Sequence, residues 1–335
     1  MKVWQIEGAY GIDNLRLADA PDPAPGPGQI VVEMKAASLN YRDLLTVLGF
    51  GGGFPLPLIP FSDGAGVVSA VGPGVSRVAV GDRVCPLFFQ SWLEGPVTAE
   101  SRNRPLGGPL PGVLQQKMLL DADGVAKFPD HLSFEEAATV PCAGLTAWRA
   151  VTIEAPAGKG DTVLVQGTGG VSIFALQFAH ARGARVVATS SSNEKLARAK
   201  ALGADHLINY KANSDWGRAA REATGGRGVD LVVEVGGENT LAQSFDAARV
   251  GGHVVVIGVL GGFSSPVIIP VIFGKNLHIH GISVGSREQF DGMAAFLAKT
   301  KITPIVDKTF DFGALPEALR LMQAGGHFGK IAVRI

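Results

Sequence analysis

Cysteine is scarce. Cys85 and Cys142 are the only two in 335 residues, too few for a disulfide framework, and a chain long enough to bury a full core has no need of one. A reducing, cytoplasmic setting is the expectation. Net charge is lacking too, because 30 Lys and Arg balance 30 Asp and Glu, which leaves no electrostatic footprint for nucleic acid or an anionic membrane. Histidine is missing from the N-terminal part, the first of the seven being His131, so that part holds one thiol, Cys85, and no imidazole. An uninterrupted apolar span is also absent. Residues 254–274 carry no charge, but Gly258, Gly261, Gly262, Ser264, Ser265, Pro266 and Pro270 break the run, so a buried strand followed by a loop is expected rather than a membrane helix. The N-terminal MKVWQIEGAY carries a lysine and a glutamate around no apolar core and reads as a strand, not an export signal.

What is abundant is glycine, 45 residues, roughly twice the usual ~7 % share and without a G-X-Y period, which points to tight turns. Short apolar runs (IVVEMKAA, GAGVVSAVG, GDRVCPLFF) separated by PDPAPGPGQ, FGGGFPLP and VGPGVS predict a β domain to about residue 126. From Phe134 the period turns helical. Strand and helix then alternate through DTVLVQG, ARVVATS, DHLINY, DLVVEV, HVVVIG and LHIHGISVG, which predicts an α/β doubly wound parallel sheet. Two helices and a last strand, KIAVRI, complete the chain.

The strand DTVLVQ runs straight into Gly167-Thr168-Gly169-Gly170-Val171-Ser172, and an apolar helix face follows. Gly167 permits the turn, Gly169 leaves backbone open to a pyrophosphate, and the helix N-terminus at Gly170 and Val171 offers free N–H groups and a positive dipole end. Ser172 replaces the third glycine of that pattern. The next strand ends Thr189-Ser190-Ser191-Ser192, where an NAD enzyme would place a carboxylate on the ribose 2′-OH. No acid stands there. Hydroxyls followed by Lys195 and Arg198 leave room for a 2′-phosphate, which predicts NADPH as cofactor. The same residues also read as a capping box, Ser191 with Glu194, opening the next helix.

With these motifs in place the chain resembles the medium-chain dehydrogenase/reductase superfamily over essentially its whole length, through GDRV, AATVPCAGLTAW, VLVQGTGGVS and EKLARAKALGADHLINY. The resemblance implies a GroES-like catalytic domain (residues 1–126 and 275–335), a Rossmann nucleotide-binding domain (residues 127–274), and an active site in the cleft between them. It also implies hydride transfer between a nicotinamide cofactor and a carbonyl, alcohol or activated alkene. Zinc-dependent members carry metal ligands where this chain has Asn40, Ser62 and Cys142. An amide and a hydroxyl are poor substitutes for thiolate and imidazole, so no catalytic zinc is expected. The four-cysteine lobe that often follows GDRV is replaced by FFQSWLEGPVTAESRNRPLGGPLPG. His278 and His280 point to one face of a strand, where packing is the expected role.

Without zinc the chain looks most like the quinone oxidoreductase branch, whose members often carry Asn, an aromatic residue and Asp, as in Asn40-Tyr41-Arg42-Asp43. Asn40 then donates to the oxygen that gains charge or fixes the nicotinamide ribose. Tyr41, with an ordinary pKa near ~10, is a weak proton donor beside water. Arg42 is placed to stabilise an enolate and Asp43 to orient its neighbours, while Tyr41 and Asp43 read equally as a helix-start motif. The resemblance further assigns Thr146 to the nicotinamide, Tyr210 to the adenosine phosphate, Val259 to the sheet's carboxyl edge by the cofactor, and Lys330 to the cofactor phosphates. It assigns Ser62, Phe88 and Trp92, with Phe89, to an apolar substrate pocket, against simple loop packing for the aromatics. The expected function is an NADPH-dependent, zinc-independent oxidoreductase acting on a lipophilic or aromatic quinone, enone or related carbonyl. An NADP-linked alcohol dehydrogenase and a non-catalytic NADPH sensor are the alternatives. LHIHGISV is the candidate edge strand of a homodimer.

Overall fold

The computed structural model describes residues 1–50 and 53–335; Gly51 and Gly52, of the FGGGFPLP turn, lie outside them. The chain divides into two units, residues 1–145 with 284–335, and residues 146–283.

In the first unit β1 (Lys2–Ile6) and β2 (Leu15–Asp19) form an antiparallel pair. The long strand β3 (Gln29–Ser38) leads into helix α1 (Tyr41–Val47), then β4 (Asp63–Val71), β5 (Arg83–Pro86), β6 (Lys117–Asp121), β7 (Val125–Lys127) and the short helix α2 (Phe134–Ala137). Helix α3 (Leu145–Arg149) spans the division.

The second unit alternates β8 (Thr162–Gln166), α4 (Gly170–Ala181), β9 (Arg185–Ser190), α5 (Asn193–Ala201), β10 (His206–Asn209), α6 (Trp216–Glu222), β11 (Val229–Glu234), α7 (Leu241–Ala247), β12 (Ala248–Val256), α8 (Ile269–Gly274) and β13 (His278–Gly281). The chain then re-enters the first unit with α9 (Arg287–Thr300), β14 (Val306–Asp311), α10 (Leu315–Gln323) and β15 (Lys330–Arg334).

Seven strands of the first unit form one sheet, ordered β14-β15-β3-β4-β5-β7 with β6 also on β3. Strand β3 is long enough to take two partners on one edge: β6 along Gln29–Glu33 and β15 along Ala36–Ser38. Its inward residues Ile30, Val32 and Met34 meet Phe61, Leu114 and Val333 in the core, each such burial being worth roughly 1.5–3 kcal/mol. In the second unit six parallel strands run in the order β10-β9-β8-β11-β12-β13. The order reverses between β8 and β11, and the carboxyl ends on either side of that point form the crevice in which a doubly wound sheet binds its ligand. Among the described residues no helix is long and apolar enough to cross a membrane.

Three boundaries differ from the sequence reading. Residues 127–145 stay with the first unit, because α2 packs on β3, β4 and β15. Residues 275–283 stay with the second, because β13 extends its sheet through His253↔His278 and Val255↔His280. The helix expected through PCAGLTAWRAV is broken into wide π-turns at Val140–Gly144 and Ala150–Glu154 around α3, and Pro141, which has no N–H to donate, stands at the first of them.

Candidate functional site

Strand β8 is apolar and fully buried as far as Gln166, and the chain then turns at Gly167, whose φ of +67° is the left-handed conformation that only glycine adopts cheaply. Gly169 caps α4 with an ordinary φ of −78°, yet a Cβ built on it meets nothing within 4 Å. The open space beside that backbone is a cradle that a side chain would fill, at a helix N-terminus suited to an anion. Ser172, in place of the third glycine, turns inward and donates to Gln166 O at 2.6 Å.

The loop is held by a residue that the sequence reading missed. Glu234, fully buried at the end of β11, accepts from Gly236 N (2.8 Å), Gly237 N (2.9 Å), Thr240 Oγ1 (2.5 Å), Gln166 Nε2 (2.7 Å) and Ser244 Oγ. Gln166 Oε1 in turn accepts from Val235 N at 3.2 Å. A lone acid closing the apolar run DLVVEV was the available signal.

The end of β9 meets this loop through Thr189, and Ser190 joins it to Tyr210 and Ser192. Gly167 N donates to Thr189 Oγ1 (3.3 Å), Tyr210 N to Ser190 O (3.1 Å), and Ser192 N to Ser190 Oγ (3.3 Å). The helix cap is Ser192, which accepts from Lys195 N at 3.3 Å, so the Ser191–Glu194 capping box is corrected by one residue and Ser191 is left outside the helix. No carboxylate stands at the end of β9. Val259 lies beyond β12, accepting from Gly262 N at 3.1 Å. Thr146 is buried in α3.

The first unit assembles a second polar cluster around Asn40. This residue caps α1 in a reciprocal box: its backbone N–H donates to Asp43 Oδ2 at 2.9 Å and its side chain faces the N–H of Asp43. Asp43 also pairs with Arg42 at 3.1 Å, and the Arg42 guanidinium lies 5.2 Å over the Phe88 ring and donates to Leu106 O. Ser62 Oγ donates to Asp63 Oδ1 at 2.7 Å, and Cys142 N donates to Asp63 Oδ2 at 2.9 Å. Lys330 Nζ donates to Leu39 O and, at 2.5 Å, to Asn40 Oδ1. Burial is the dominant electrostatic effect throughout. It pushes Asp43 up against the pull of Arg42, raises Asp63 to about 6 against Lys330, lowers Lys330 against Asp63, and drives the Cys142 thiol well upward, Asp63 adding to it.

This geometry corrects several expectations. Lys330 is only 4 % exposed and committed to Leu39 and Asn40, so its ammonium is not held out for a cofactor phosphate. Asp43 is spent on the helix cap and Arg42 rather than on chemistry. Ser62 is fully buried, its hydroxyl given to Asp63. Phe88, Phe89 and Trp92 are core residues: the rings of Phe88 and Phe89 meet edge to face at 4.7 Å, and the Trp92 indole donates to Gly95 O. These rings pack on one another, with Arg42 over Phe88. Tyr41 alone of the motif is outward, at 38 % exposure. Asp63, beside Ser62 in an otherwise apolar run, was the acid missed by sequence.

Two family models match: the alcohol dehydrogenase GroES-like domain over residues 26–130 and the zinc-binding dehydrogenase over residues 170–299. A zinc-type alcohol dehydrogenase-like protein of Schizosaccharomyces pombe is 43 % identical over 97 % of this chain and 96 % of its own length. The crystal structure of a putative alcohol dehydrogenase from Sinorhizobium meliloti superposes with a TM-score of 0.94 at 41 % identity, covering 100 % of this chain and 98 % of that one. A Pseudomonas syringae quinone oxidoreductase does so at 0.84 and 29 %, covering 100 % and 99 %. The chain belongs to the medium-chain dehydrogenase/reductase superfamily, with the GroES-like and Rossmann-like folds of its oxidoreductases. That family binds a nicotinamide cofactor, and the open backbone at Gly169 fits its pyrophosphate. Zinc, which the second family description implies, does not fit. At the positions where the family resemblance puts zinc ligands stand an amide whose oxygen is already taken by an ammonium, a hydroxyl already given to Asp63, and a single thiol whose pKa burial pushes well upward.

Proposed function

We propose that this chain is an NADPH-dependent, zinc-independent oxidoreductase that transfers hydride to a quinone, enone or related activated carbonyl. The observation that carries the reading is the Asn40 carboxamide, buried with its Oδ1 committed to Lys330, so that Nδ2 is the group left to donate. On that side Nδ2 faces Ser62 Oγ at a loose 3.5 Å and the Asp63 carboxylate, which accepts from it, and an amide NH2 has two N–H bonds to give. When bound, the reduced nicotinamide supplies a hydride to the electrophilic carbon. The displaced electron pair collects on the substrate oxygen, where a fixed N–H donor of this kind is worth roughly 10²–10³ in rate. A proton from water, or from the exposed Tyr41, completes the alcohol, hydroquinone or ketone.

Hold on the cofactor falls to Gly167, Gly169 and the N-terminus of α4. Preference for the 2′-phosphate is supported by the acid-free Thr189-Ser190-Ser191-Ser192 end of β9, with Lys195 in the first turn of α5. A fluorescence titration of NADPH against NADH, followed by turnover with quinones, 2-alkenals and enones, tests this. Equal affinity for NADH removes the cofactor assignment, and no NADPH oxidation across the panel removes the enzymatic one. The names of the relatives favour alcohol dehydrogenase activity, and a second reading is an NADP-linked alcohol dehydrogenase; stoichiometric zinc whose chelation abolishes turnover would favour it. Edge strand β13, with Ile279 at 42 % exposure, supports a homodimer, which sedimentation at micromolar concentration checks.

A further inference from the structure

Lys330 enters the hydride chemistry only through Asn40, yet it is a buried and doubly hydrogen-bonded cation. The antiparallel register of β15 on β3 pairs Ala332 with Ser38, and Leu39 N continues it by donating to Ile331 O at 3.0 Å. One more step brings Lys330 opposite Asn40, residues 290 positions apart in the chain. On its other side Lys330 N donates to Ile305 O at 2.9 Å, so the backbone is pinned from both edges before the side chain is placed. The ammonium then meets Leu39 O and Asn40 Oδ1, and the acids acting on it are Asp63 on β4 and Asp43 on α1. With the partly exposed Arg42 on Asp43, the cluster pairs two basic side chains with two acidic ones.

We infer that the Lys330 ammonium is the resident cation of this cluster, tethered to β15 in place of a divalent metal and excluding one. This deepens the zinc-independent reading and rests on it. Two consequences follow from geometry. The ammonium occupies the acceptor oxygen of Asn40, so a metal cannot claim it without displacing a buried charge. A dication beside it would add like charge in a low-dielectric interior, where repulsion is least screened. Lys330 is thus a positioning residue: it turns Oδ1 of Asn40 inward.

The test is cobalt(II) uptake, read by d–d and thiolate charge-transfer absorption and by metal content after dialysis. Three forms are compared: the intact chain, Asn40→Cys/Ser62→His, and the same pair with Lys330→Ala. The intact chain and the double variant are expected to retain no stoichiometric cobalt, and the triple variant to retain a single equivalent with tetrahedral thiolate bands. Uptake by the intact chain would overturn both this inference and the zinc-independent reading. Uptake by the double variant with Lys330 in place would overturn this inference alone.

A second measurement does not depend on the triple variant folding. Lys330→Ala is expected to lose roughly 5–10 °C of thermal midpoint, and n-propylammonium, which replaces the atoms removed, to restore at least half of the loss while n-propanol and sodium restore none. Unchanged stability, or equal restoration by propanol, would count against a charge-specific role. A variant that is insoluble alone but recovered with propylammonium supports it, and one that stays insoluble with the amine overturns it.

Discussion

The two units bury charge by opposite means. In the first, charge answers charge: Lys330 and Arg42 lie among Asp43 and Asp63, and every member depends on the others. In the second, the Glu234 carboxylate is answered by neutral donors, two backbone N–H groups, two hydroxyls and an amide, and no partner cation is needed. The first arrangement makes a closed cluster whose electrostatics are set by its own side chains. The second makes a rigid frame whose purpose is the space it leaves empty beside Gly169. Buried ion pairs are weak stabilisers but costly to break, whereas a carboxylate satisfied by fixed dipoles pre-organises a loop at little electrostatic risk.

Filling the empty space should give the largest effect. Gly169→Val places its side chain where a Cβ meets nothing and where φ is ordinary, so the thermal midpoint should hold while NADPH affinity falls at least ~100-fold, or about 2.7 kcal/mol, in a fluorescence titration. A fall in stability with affinity retained would mean that the loop, not the cradle, had been described. In the first unit, Asn40→Asp keeps an acceptor for Lys330 and removes the Nδ2 donor. It should lower kcat by roughly 10²–10³ with cofactor affinity unchanged. Retained kcat would relegate Asn40 to a helix cap.

A smaller change is expected at the end of β9. Ser191→Asp supplies the missing carboxylate and should shift the NADPH-to-NADH preference by roughly 10–100-fold toward NADH, measured as the ratio of kcat/KM values. No shift would show that the 2′-position is read elsewhere.

The smallest and most diagnostic effect is in pH. Burial, helped by the neighbouring His278 and His280, lowers the pKa of His253, so protonation favours the unfolded state, and stability of the second unit is lost as pH falls below about 6.5. Burial raises Asp63 from 3.8 to about 6, so in the first unit the protonated form is favoured by folding and stability is gained as pH falls from about 6 toward 3.8. Hydrogen exchange resolved by unit should therefore show opposite slopes through this window, with His253→Gln flattening the one and Asp63→Asn the other. Parallel slopes would erase the contrast between the units.

The alternation of apolar strands with helices made the second unit readable in advance, because parallel strands buried on both faces announce themselves as VLV and VVA runs. The glycine loop was readable for the same local reason. Lys330 was not, since its partner Asn40 is brought opposite by antiparallel register across the whole chain and nothing near KIAVRI records it. The aromatic run from Phe88 to Trp92 was ambiguous because size and hydrophobicity do not distinguish a pocket wall from a core. Asp63 and Glu234 were each single acids ending or interrupting apolar strands, a pattern that speaks only once the donors converging on them are known.

The central claim is metal-free hydride transfer from NADPH. The direct measurement is a single turnover with NADPH deuterated at nicotinamide C4 and a quinone or enone, using protein dialysed against a zinc chelator. Undiminished turnover with deuterium delivered to the carbon of an enone, or in a quinone a matching primary isotope effect on NADPH oxidation, is the predicted result. Loss of turnover on chelation, restored by stoichiometric zinc, would contradict it.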